Sequence, residues 1–337
     1  MRQMFYEGPR TLTWRDAPEP QLGADHEAIV ETIAATACDV DKVVIEGRSP
    51  FQPPFALGHE AVARVVDKGD AVSGLEIGDV VCVPYHRTCG QCGACAGQTP
   101  LHCEQKDTPM VPSYGFPHAG EWGGMFAERF RVPFASHALV TLPDSVDPIA
   151  AVSVGDNLTD AWSTTAKHLR DKPGGRVLVL SFGGYGLYAV QWALSAQAQS
   201  VTLVDDDPKR LELVESWGAR GVLWSPSLDL TEKFDVIVNA RAEPEALHLA
   251  LRAAAPDAVC ESTAIHFADV PLPLTAMHFS GVRLRSSFAS TRVDMPEVVA
   301  ALAAGQIDPR LSESEIVSLD DAPRVLAEPS WRPVLVF

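Results

Sequence analysis

The sequence predicts an α/β protein with two domains, one rich in short β-strands and one built on a doubly wound parallel sheet. Residues 28–140 contain short apolar stretches, often alternating, that are separated by turn residues such as Gly-Asp pairs. Between residues 156 and 287, short apolar strands alternate with helical segments, which is typical of a parallel sheet covered on both faces. A chain of 337 residues has room for two such domains.

The first domain is predicted to be an antiparallel β-barrel or sandwich. Its clearest strands are AIVETIAATA, EAVARVVDKGD and GDVVCVPY, at residues 28–37, 60–70 and 78–85. The apolar C-terminal end VLVF is expected to return to this domain. The predicted boundaries are therefore residues 1–153 with 288–337 for the first domain, and residues 154–287 for the second.

The second domain is predicted from a series of strands with helices between them. The predicted strands cover residues 176–180, 201–204, 222–224, 236–239, 258–261 and 282–285. Helices are predicted in this domain at residues 187–196 and at residues 208–217, where a proline stands at the start. A further helix is predicted near residues 294–304, in the last fifty residues of the chain.

Composition and charge narrow the classes of function. The formal net charge is −17, which works against binding to a nucleic-acid backbone because such binding needs clustered Lys and Arg. No apolar run approaches the roughly 20 residues that span a bilayer. The N-terminal residues lack the features of a secretory signal, so a cytoplasmic protein with no membrane or nucleic-acid partner is expected.

Four of the seven cysteines lie in one short loop, as Cys89, Cys92, Cys95 and Cys103. Two-residue gaps allow successive thiolates to face one centre, and the longer last gap closes the loop from the other side. A disulfide framework is the alternative, but the odd number of cysteines and the expected reducing compartment argue against it. The spacing predicts a closed, tetrahedral structural zinc site.

A glycine-rich turn follows the strand at residues 176–180 and precedes a helix. Here the backbone can approach a pyrophosphate, which then lies at the positive end of the helix. Ser181 stands where the G-x-G-x-x-G fingerprint has its first glycine, and Gly183, Gly184 and Gly186 form the rest of the turn. A tight turn without a ligand is the alternative reading. Asp205 favours dinucleotide binding, because it ends the next strand about 20 residues further on.

Asp205 also bears on the choice of cofactor. Its carboxylate can accept hydrogen bonds from the adenosine ribose and would repel a 2′-phosphate, so NAD is predicted over NADP. Lys209 and Arg210 lie close by and could soften that preference. Arg210 is therefore included with the cofactor-binding residues, although both side chains could instead belong to a solvated helix start.

Two more segments offer metal ligands. Cys38 lies in the segment ACDVDK, and Gly58-His59-Glu60 precedes a strand. Each is a weak signal alone, because a single His beside a Glu is more often a surface or core residue. Together with the four-cysteine loop and the nucleotide turn, in that order, they resemble the zinc-dependent alcohol dehydrogenases of the medium-chain dehydrogenase/reductase family. The resemblance covers nearly the whole chain.

The resemblance implies a GroES-like catalytic domain, a Rossmann domain and two zinc ions per chain. It implies a catalytic zinc held by Cys38 and His59, with Asp156 as the third ligand and Asp160 as its rival. Glu60 would be a fourth ligand or a group that moves onto zinc during ligand exchange. Asp41 would accept the free ring N–H of His59 and fix its tautomer. Relatives form dimers or tetramers, so a homodimer or homotetramer is expected, with pairing through the edge strand at residues 282–285.

The chain departs from the family pattern where relatives move a proton. Val40 and Val43 stand where many relatives have a hydroxyl residue and a histidine, and Asp160 stands where many have threonine. Neither valine can carry a proton. A replacement route through Asp39, Asp160 or water, a substrate that needs no relay, and a specialised or impaired enzyme all remain open.

The resemblance implies an NAD-dependent oxidoreductase acting on a secondary alcohol, a polyol or the matching carbonyl. In this mechanism zinc acts as a Lewis acid on the substrate oxygen, and hydride passes between the carbinol carbon and the nicotinamide. One alternative is a biosynthetic reductase of C=O, C=C or C=N bonds that lacks the usual proton relay. An alternative from another class is a non-catalytic NAD-binding sensor.

Overall fold

The computed structural model describes residues 1–108, 110–312, 315–328 and 332–337. The chain forms two compact units, one comprising Met1–Thr159 with Ser290–Phe337 and the other Asp160–Ala289. Among the described residues, no helix combines the length and apolarity that crossing a bilayer requires.

The first unit is rich in short strands. Its N-terminal strands are β1 (Arg2–Gly8), β2 (Thr11–Asp16), β3 (Ala28–Thr36), β4 (Phe55–Ala56), β5 (Glu60–Lys68), β6 (Val80–Val83), β7 (Arg129–Val132) and β8 (Val140–Thr141). Short helices connect them: α1 (Asp39–Ile45), α2 (Gly93–Ala96) and α3 (Ala135–Ala138), with 3-10 turns at Pro100–His102 and Pro117–Trp122.

The second unit has the alternating pattern that the sequence predicts. The chain enters it through α4 (Asn157–Thr164) and α5 (Ala166–Asp171). The elements that follow are β9 (Arg176–Leu180), α6 (Tyr185–Ser195), β10 (Ser200–Asp205), α7 (Pro208–Ser216), β11 (Arg220–Leu223), β12 (Phe234–Asn239), α8 (Pro244–Arg252), β13 (Ala254–Ser262), α9 (Leu274–Ser280) and β14 (Arg283–Ser286).

The chain then returns to the first unit. The returning elements are α10 (Thr291–Ala303), a 3-10 turn at Pro309–Ser312, β15 (Glu315–Val317), α11 (Ala322–Ala327) and β16 (Pro333–Val336). β16 pairs antiparallel with β3, where Val334 lies opposite Thr36. The apolar C-terminal end therefore joins the sheet of the first unit, where Val334 and Leu335 are fully buried.

Two sheets form the first unit. β2, β1 and β4 form an antiparallel three-stranded sheet, and the larger sheet has the order β15-β16-β3-β5-β6-β8, with β7 paired to β3. Apolar side chains from both sheets, among them Met4, Val30 and Phe55, form one buried core. Burial of these side chains is the main stabilising contribution to the unit.

The sheet of the second unit is parallel throughout, in the order β11-β10-β9-β12-β13-β14. In chain order this is 3-2-1-4-5-6, the order of dinucleotide-binding sheets, and it confirms the predicted fold class. The order reverses between β9 and β12. Ligands bind such sheets at the carboxyl ends of the strands beside this reversal.

Candidate functional site

Cys38 is held at the start of α1 by the backbone of that helix. Its sulfur accepts a hydrogen bond from Val40 N at 3.2 Å, and its own N–H donates to the Asp41 carboxylate at 3.1 Å. These two bonds form a capping box, which fixes the direction of the thiol. The side chain is 2% exposed, so the sulfur faces the interior of the first unit.

His59 lies beside this sulfur because of a tight turn before β5. Gly58 has φ +96°, and a Cβ there would meet the Phe126 ring at 2.3 Å, so the turn requires glycine. The imidazole Nε2 lies 3.0 Å from the Cys38 sulfur, and the Phe116 ring stacks on the imidazole with centroids 5.1 Å apart. These contacts hold the imidazole of His59 beside the Cys38 sulfur.

Asp156 completes the cluster. One of its carboxylate oxygens lies 3.5 Å from His59 Nε2. The preceding residue, Gly155, makes this approach possible, because a Cβ there would lie 1.9 Å from the carbonyl oxygen of Val83. The carbonyl of Gly155 accepts hydrogen bonds from Tyr85 N and from the Thr291 hydroxyl, which anchor the loop.

Together these three residues present three different ligand types to one point. Their ligand atoms lie within 4.8 Å of one another. Asp160, the rival for the third position, lies in the first turn of α4 and does not join this group among the described residues. A sulfur, an imidazole nitrogen and a carboxylate oxygen form a donor set that suits zinc and leaves one coordination position open.

The electrostatics of the cluster also fit a cation. Burial raises the pKa of the Cys38 thiol to about 12, so a nearby positive charge is needed to make the thiolate the stable form. Burial disfavours charge on His59, yet the Asp41 carboxylate, Cys38 and Asp156 together raise its pKa well above the ordinary value. The surroundings of the imidazole therefore favour a positive charge at the point where a metal ion would lie.

Asp41 lies behind His59. Its Oδ1 is 3.4 Å from His59 Nδ1, and neither atom has a hydrogen-bond partner among the described residues. Both atoms are buried, and buried polar atoms are seldom left unpaired. A small movement of the ring toward Asp41 would pair them, and this would aim Nε2 at the metal position.

Glu60 lies next to the cluster but points to other partners. Its Oε2 accepts hydrogen bonds from the Arg332 guanidinium and, at 2.6 Å, from the Ser153 hydroxyl. Its Oε1 has no hydrogen-bond partner among the described residues. No local sequence pattern links Ser153 and Arg332 to Glu60, because they lie 93 and 272 positions away from it in the chain.

The four cysteines predicted to bind structural zinc do converge. The sulfurs of Cys89, Cys92, Cys95 and Cys103 lie within 4.8 Å of one another. Backbone N–H groups point at three of them: Cys89 N at Cys103, Cys92 N at Cys89, and Glu104 N at Cys92, at 3.4–3.5 Å. N–H donors of this kind favour thiolates, and the bond from Glu104 lowers the pKa of Cys92 to about 6. Burial raises the pKa of Cys95 and of Cys103, so a bound cation is needed to hold all four residues as thiolates. The cluster fits a closed zinc site.

The predicted nucleotide residues converge at the carboxyl edge of the second unit's sheet. The turn at residues 181–184 links β9 to α6, and Gly186, in the first turn of α6, packs so closely on Ser181 that a Cβ would lie 2.6 Å from it. Asp205, at the end of β10, is fully buried and accepts from Arg210 at 2.6 Å. Burial raises the pKa of Asp205 to about 6, although Arg210 opposes the shift.

Arg241, just after β12, was not indicated by any sequence motif. Its guanidinium donates to the carbonyl of Ser181 at 2.8 Å and lies over the Trp224 ring, 4.7 Å from the centroid. The only signal that could have revealed it is its place after the strand next to the reversal of strand order.

Comparison with known families adds two matches. The family model described as an alcohol dehydrogenase GroES-like domain matches residues 24–144, and the model described as a zinc-binding dehydrogenase matches residues 184–304. An alcohol dehydrogenase of Moraxella sp. TAE123 is 28% identical over 91% of this chain and 89% of its own.

Two solved structures are similar to the structure of this chain. Alcohol dehydrogenase TADH from Thermus sp. ATN1 superposes with a TM-score of 0.90 at 28% identity, over 100% of this chain and 99% of the other. An alcohol dehydrogenase (rspB) from E. coli CFT073, complexed with NADH, superposes with a TM-score of 0.85 over 100% and 99% of the two chains. At 22% identity, this second likeness concerns the fold alone.

Proposed function

Because the chain belongs to the zinc-dependent alcohol dehydrogenases of the medium-chain dehydrogenase/reductase family and is a zinc-dependent alcohol oxidoreductase, we propose that it transfers hydride between NAD(H) and a secondary alcohol, a polyol or the matching carbonyl. The observation that carries this proposal is the convergence of Cys38, His59 and Asp156 within 4.8 Å. In this proposal these three residues hold the catalytic zinc, and the four clustered cysteines hold a second, structural zinc.

When bound, zinc supplies a Lewis acid for the substrate oxygen and the nicotinamide supplies the hydride acceptor. The residues of this chain position these groups. After a small movement of the ring, the Asp41 carboxylate would accept a hydrogen bond from His59 Nδ1–H, so that Nε2 stays free as a ligand. Phe116 keeps the imidazole plane fixed. Arg332 and Ser153 hold the Glu60 carboxylate, so that Glu60 is a reserve fourth ligand.

The hydroxyl proton of the alcohol must leave by a route that does not use the side chains of α1 at positions 40 and 43. Val40 and Val43 have no group that accepts or donates a proton. Of the other candidates, Asp39 pairs with Lys42 at 3.3 Å, and Asp160 does not join the metal-ligand group among the described residues, so we assign the first proton transfer to water. Such an enzyme should work best under alkaline conditions, where water and buffer remove the proton readily.

We propose NAD rather than NADP as the cofactor. In support, the Oδ2 atom of Asp205 is buried and has no hydrogen-bond partner among the described residues, which leaves an acceptor for a ribose hydroxyl. The glycine-rich turn lies beside it, since Arg210 donates both to Asp205 and to the carbonyl of Phe182. A 2′-phosphate next to the Asp205 carboxylate would be repelled.

We propose a homodimer or homotetramer in which copies pair through the edge of the six-stranded sheet. The edge strand is β14, and an edge strand offers unpaired backbone groups for a second copy. The preceding helix α9 exposes Leu274 and Phe279, which are 67% and 84% exposed. Light scattering after size exclusion should give a mass of two or four chains, and a monomer at working concentration would contradict the proposal.

The metal assignment is tested by zinc content. Wild-type protein should contain about two zinc ions per chain. Asp156→Asn should retain about one, while the matched control Asp160→Asn should retain about two. Loss of zinc from the control with retention in Asp156→Asn would reverse the assignment of the third ligand.

The activity is tested with a panel of secondary alcohols and polyols. At alkaline pH the wild-type protein should raise NADH absorbance with at least one of them, and Asp156→Asn should not. Failure of every alcohol and of every matching carbonyl, in protein that contains two zinc ions and binds NADH, would contradict the proposed reaction.

A further inference from the structure

Two nearly buried arginines meet one carboxylate at the carboxyl edge of the six-stranded sheet. Arg210 comes from α7 and Arg241 from the segment after β12, and they are 7% and 3% exposed. Arg210 Nη2 lies 3.2 Å from Asp206 Oδ1, and Arg241 Nη2 lies 3.3 Å from Asp206 Oδ2. The Asp206 side chain is half exposed, so this carboxylate bridges two guanidinium groups at the protein surface.

The same arginines are tied to the glycine-rich turn. Arg241 Nη1 donates to the carbonyl of Ser181 at 2.8 Å, and Arg210 Nη2 donates to the carbonyl of Phe182 at 3.1 Å. β9, which leads into this turn, and β12, which leads to Arg241, are the strands on either side of the reversal of strand order. Both guanidinium groups therefore stand where such sheets bind their nucleotide.

Asp206 follows Asp205 directly, so the bridge that Asp206 forms lies beside the proposed ribose-binding carboxylate. Arg210 Nη2 contacts Oδ1 of both carboxylates, at 2.6 Å for Asp205 and 3.2 Å for Asp206. Asp205 Oδ2 is fully buried without a hydrogen-bond partner among the described residues. A ribose hydroxyl bound to Asp205 would therefore lie on a carboxylate that shares the Arg210 guanidinium with Asp206.

We propose that the Asp206 carboxylate fills, as an internal anion, a two-arginine site that would otherwise accept the 2′-phosphate of NADP(H), and that it thereby sets the cofactor selectivity. This inference rests on the proposed binding of a dinucleotide at Asp205. Guanidinium groups bind phosphate oxygens in the same forked geometry that they use for carboxylates. Asp206 contacts both arginines, beside their bonds to Asp205 and Asp207 (Arg210) and to Glu243 (Arg241), and it adds a negative charge that repels a 2′-phosphate.

Glu243 provides a matched control for charge alone. Its carboxylate lies 2.6 Å from Arg241 Nη2, and its side chain is 45% exposed, close to the 51% of Asp206. Glu243→Gln removes one negative charge and one partner of Arg241 while Asp206 keeps its bridge. A general effect of charge predicts similar results for the two variants, whereas the bridge predicts different ones.

The test measures binding of two small probes by calorimetry, on the zinc-loaded full chain. The probes are 2′,5′-ADP, which carries the 2′-phosphate, and 5′-AMP, which lacks it. Asp206→Asn should bind 2′,5′-ADP at least about tenfold more tightly than wild type. This is the size of effect expected when one repulsive charge is removed from a partly solvated phosphate site. Its affinity for 5′-AMP should stay within about twofold, and Glu243→Gln should change the 2′,5′-ADP affinity by less than about threefold.

A second variant tests whether the freed guanidinium groups carry the gain. Asp206→Asn combined with Arg241→Gln should return the 2′,5′-ADP affinity to near the wild-type value, and Asp206→Ser serves if the asparagine variant does not fold. Three results would each overturn the inference. The affinity for 2′,5′-ADP could rise equally in Glu243→Gln, it could fail to rise in either Asp206 variant, or its rise could survive the loss of Arg241. If wild type still binds 5′-AMP and NADH, the proposed function is retained although the inference fails. If wild type binds none of 5′-AMP, 2′,5′-ADP and NADH, both the inference and the proposed function are overturned.

Discussion

Arg332 donates from its guanidinium to the carboxylate of Glu60, a residue 272 positions earlier in the chain. Both side chains are 0% exposed. The pair ties the C-terminal strand region to the start of β5, directly beside the metal-ligand cluster. Ser153 joins them, because Arg332 Nη2 also donates to its hydroxyl.

Replacing Arg332 should strongly destabilise the protein. In Arg332→Met the Glu60 carboxylate remains buried without its counter-charge, and the free energy of unfolding should fall by about 3–5 kcal/mol. Chemical denaturation measures the change. The double variant Arg332→Met/Glu60→Gln should recover part of the loss, because no buried charge is then left alone. A single variant no less stable than the double one would argue against a buried ion pair.

Adding one methyl group at Gly155 should empty the catalytic metal site. A Cβ there would lie 1.9 Å from the Val83 carbonyl oxygen, so the loop carrying Asp156 must move. We expect Gly155→Ala to lose about 1–3 kcal/mol of stability and to retain only the zinc of the four-cysteine site. Gly74→Ala is the control: at φ +73° it strains the backbone, but no atom lies within 4 Å of its added Cβ, so it should lower the stability and still retain two zinc ions. Two zinc ions in Gly155→Ala would disprove the need for this close approach.

Binding of NADH should depend on pH through Asp205. Burial raises the pKa of this carboxyl to about 6. Only the ionised form can accept hydrogen bonds at both oxygens, so protonation competes with the ribose as pH falls. The affinity should be about fourfold lower at pH 5.5 than at pH 8. Fluorescence titration measures it, and Asp205→Asn should bind weakly with no such trend; an unchanged trend in that variant would assign the titration elsewhere.

The four-cysteine site should be separable from the catalytic site. Cys103→Ser removes one sulfur from the cluster, and zinc content should fall from about two to about one per chain. The remaining zinc should still be lost on further mutation of Asp156. The unfolding temperature should fall as well, because a bound structural metal stabilises the folded state. An unchanged zinc content in Cys103→Ser would show that the loop does not hold a metal.

Local patterns made part of this architecture predictable. The cysteines at positions 89–103 lie close in sequence, so their spacing alone indicates a shared centre, and their sulfurs do converge. The parallel sheet could also be predicted, because each of its strands is an apolar segment between helical ones. The pattern predicts helices at 187–196 and 208–217, and the structure adds α8 and α9 to this unit.

Other features depend on contacts that no local pattern records. Cys38, His59 and Asp156 come from three separated segments, so only the family resemblance placed them together. Arg332 and Arg241 belong to no motif, and their partners are known only once the chain has folded. Helix α9 exposes large apolar side chains such as Phe279, so it lacks the polar outer face by which an amphipathic helix is recognised.

Anomalous scattering at the zinc absorption edge, from crystals of the zinc-loaded protein, tests the central claim most directly. The account predicts two peaks per chain. One should lie among the four clustered sulfurs, and the other within bonding distance of Cys38 Sγ, His59 Nε2 and an Asp156 oxygen. A second peak bound by Asp160 in place of Asp156, or no peak at Cys38 and His59, would contradict it.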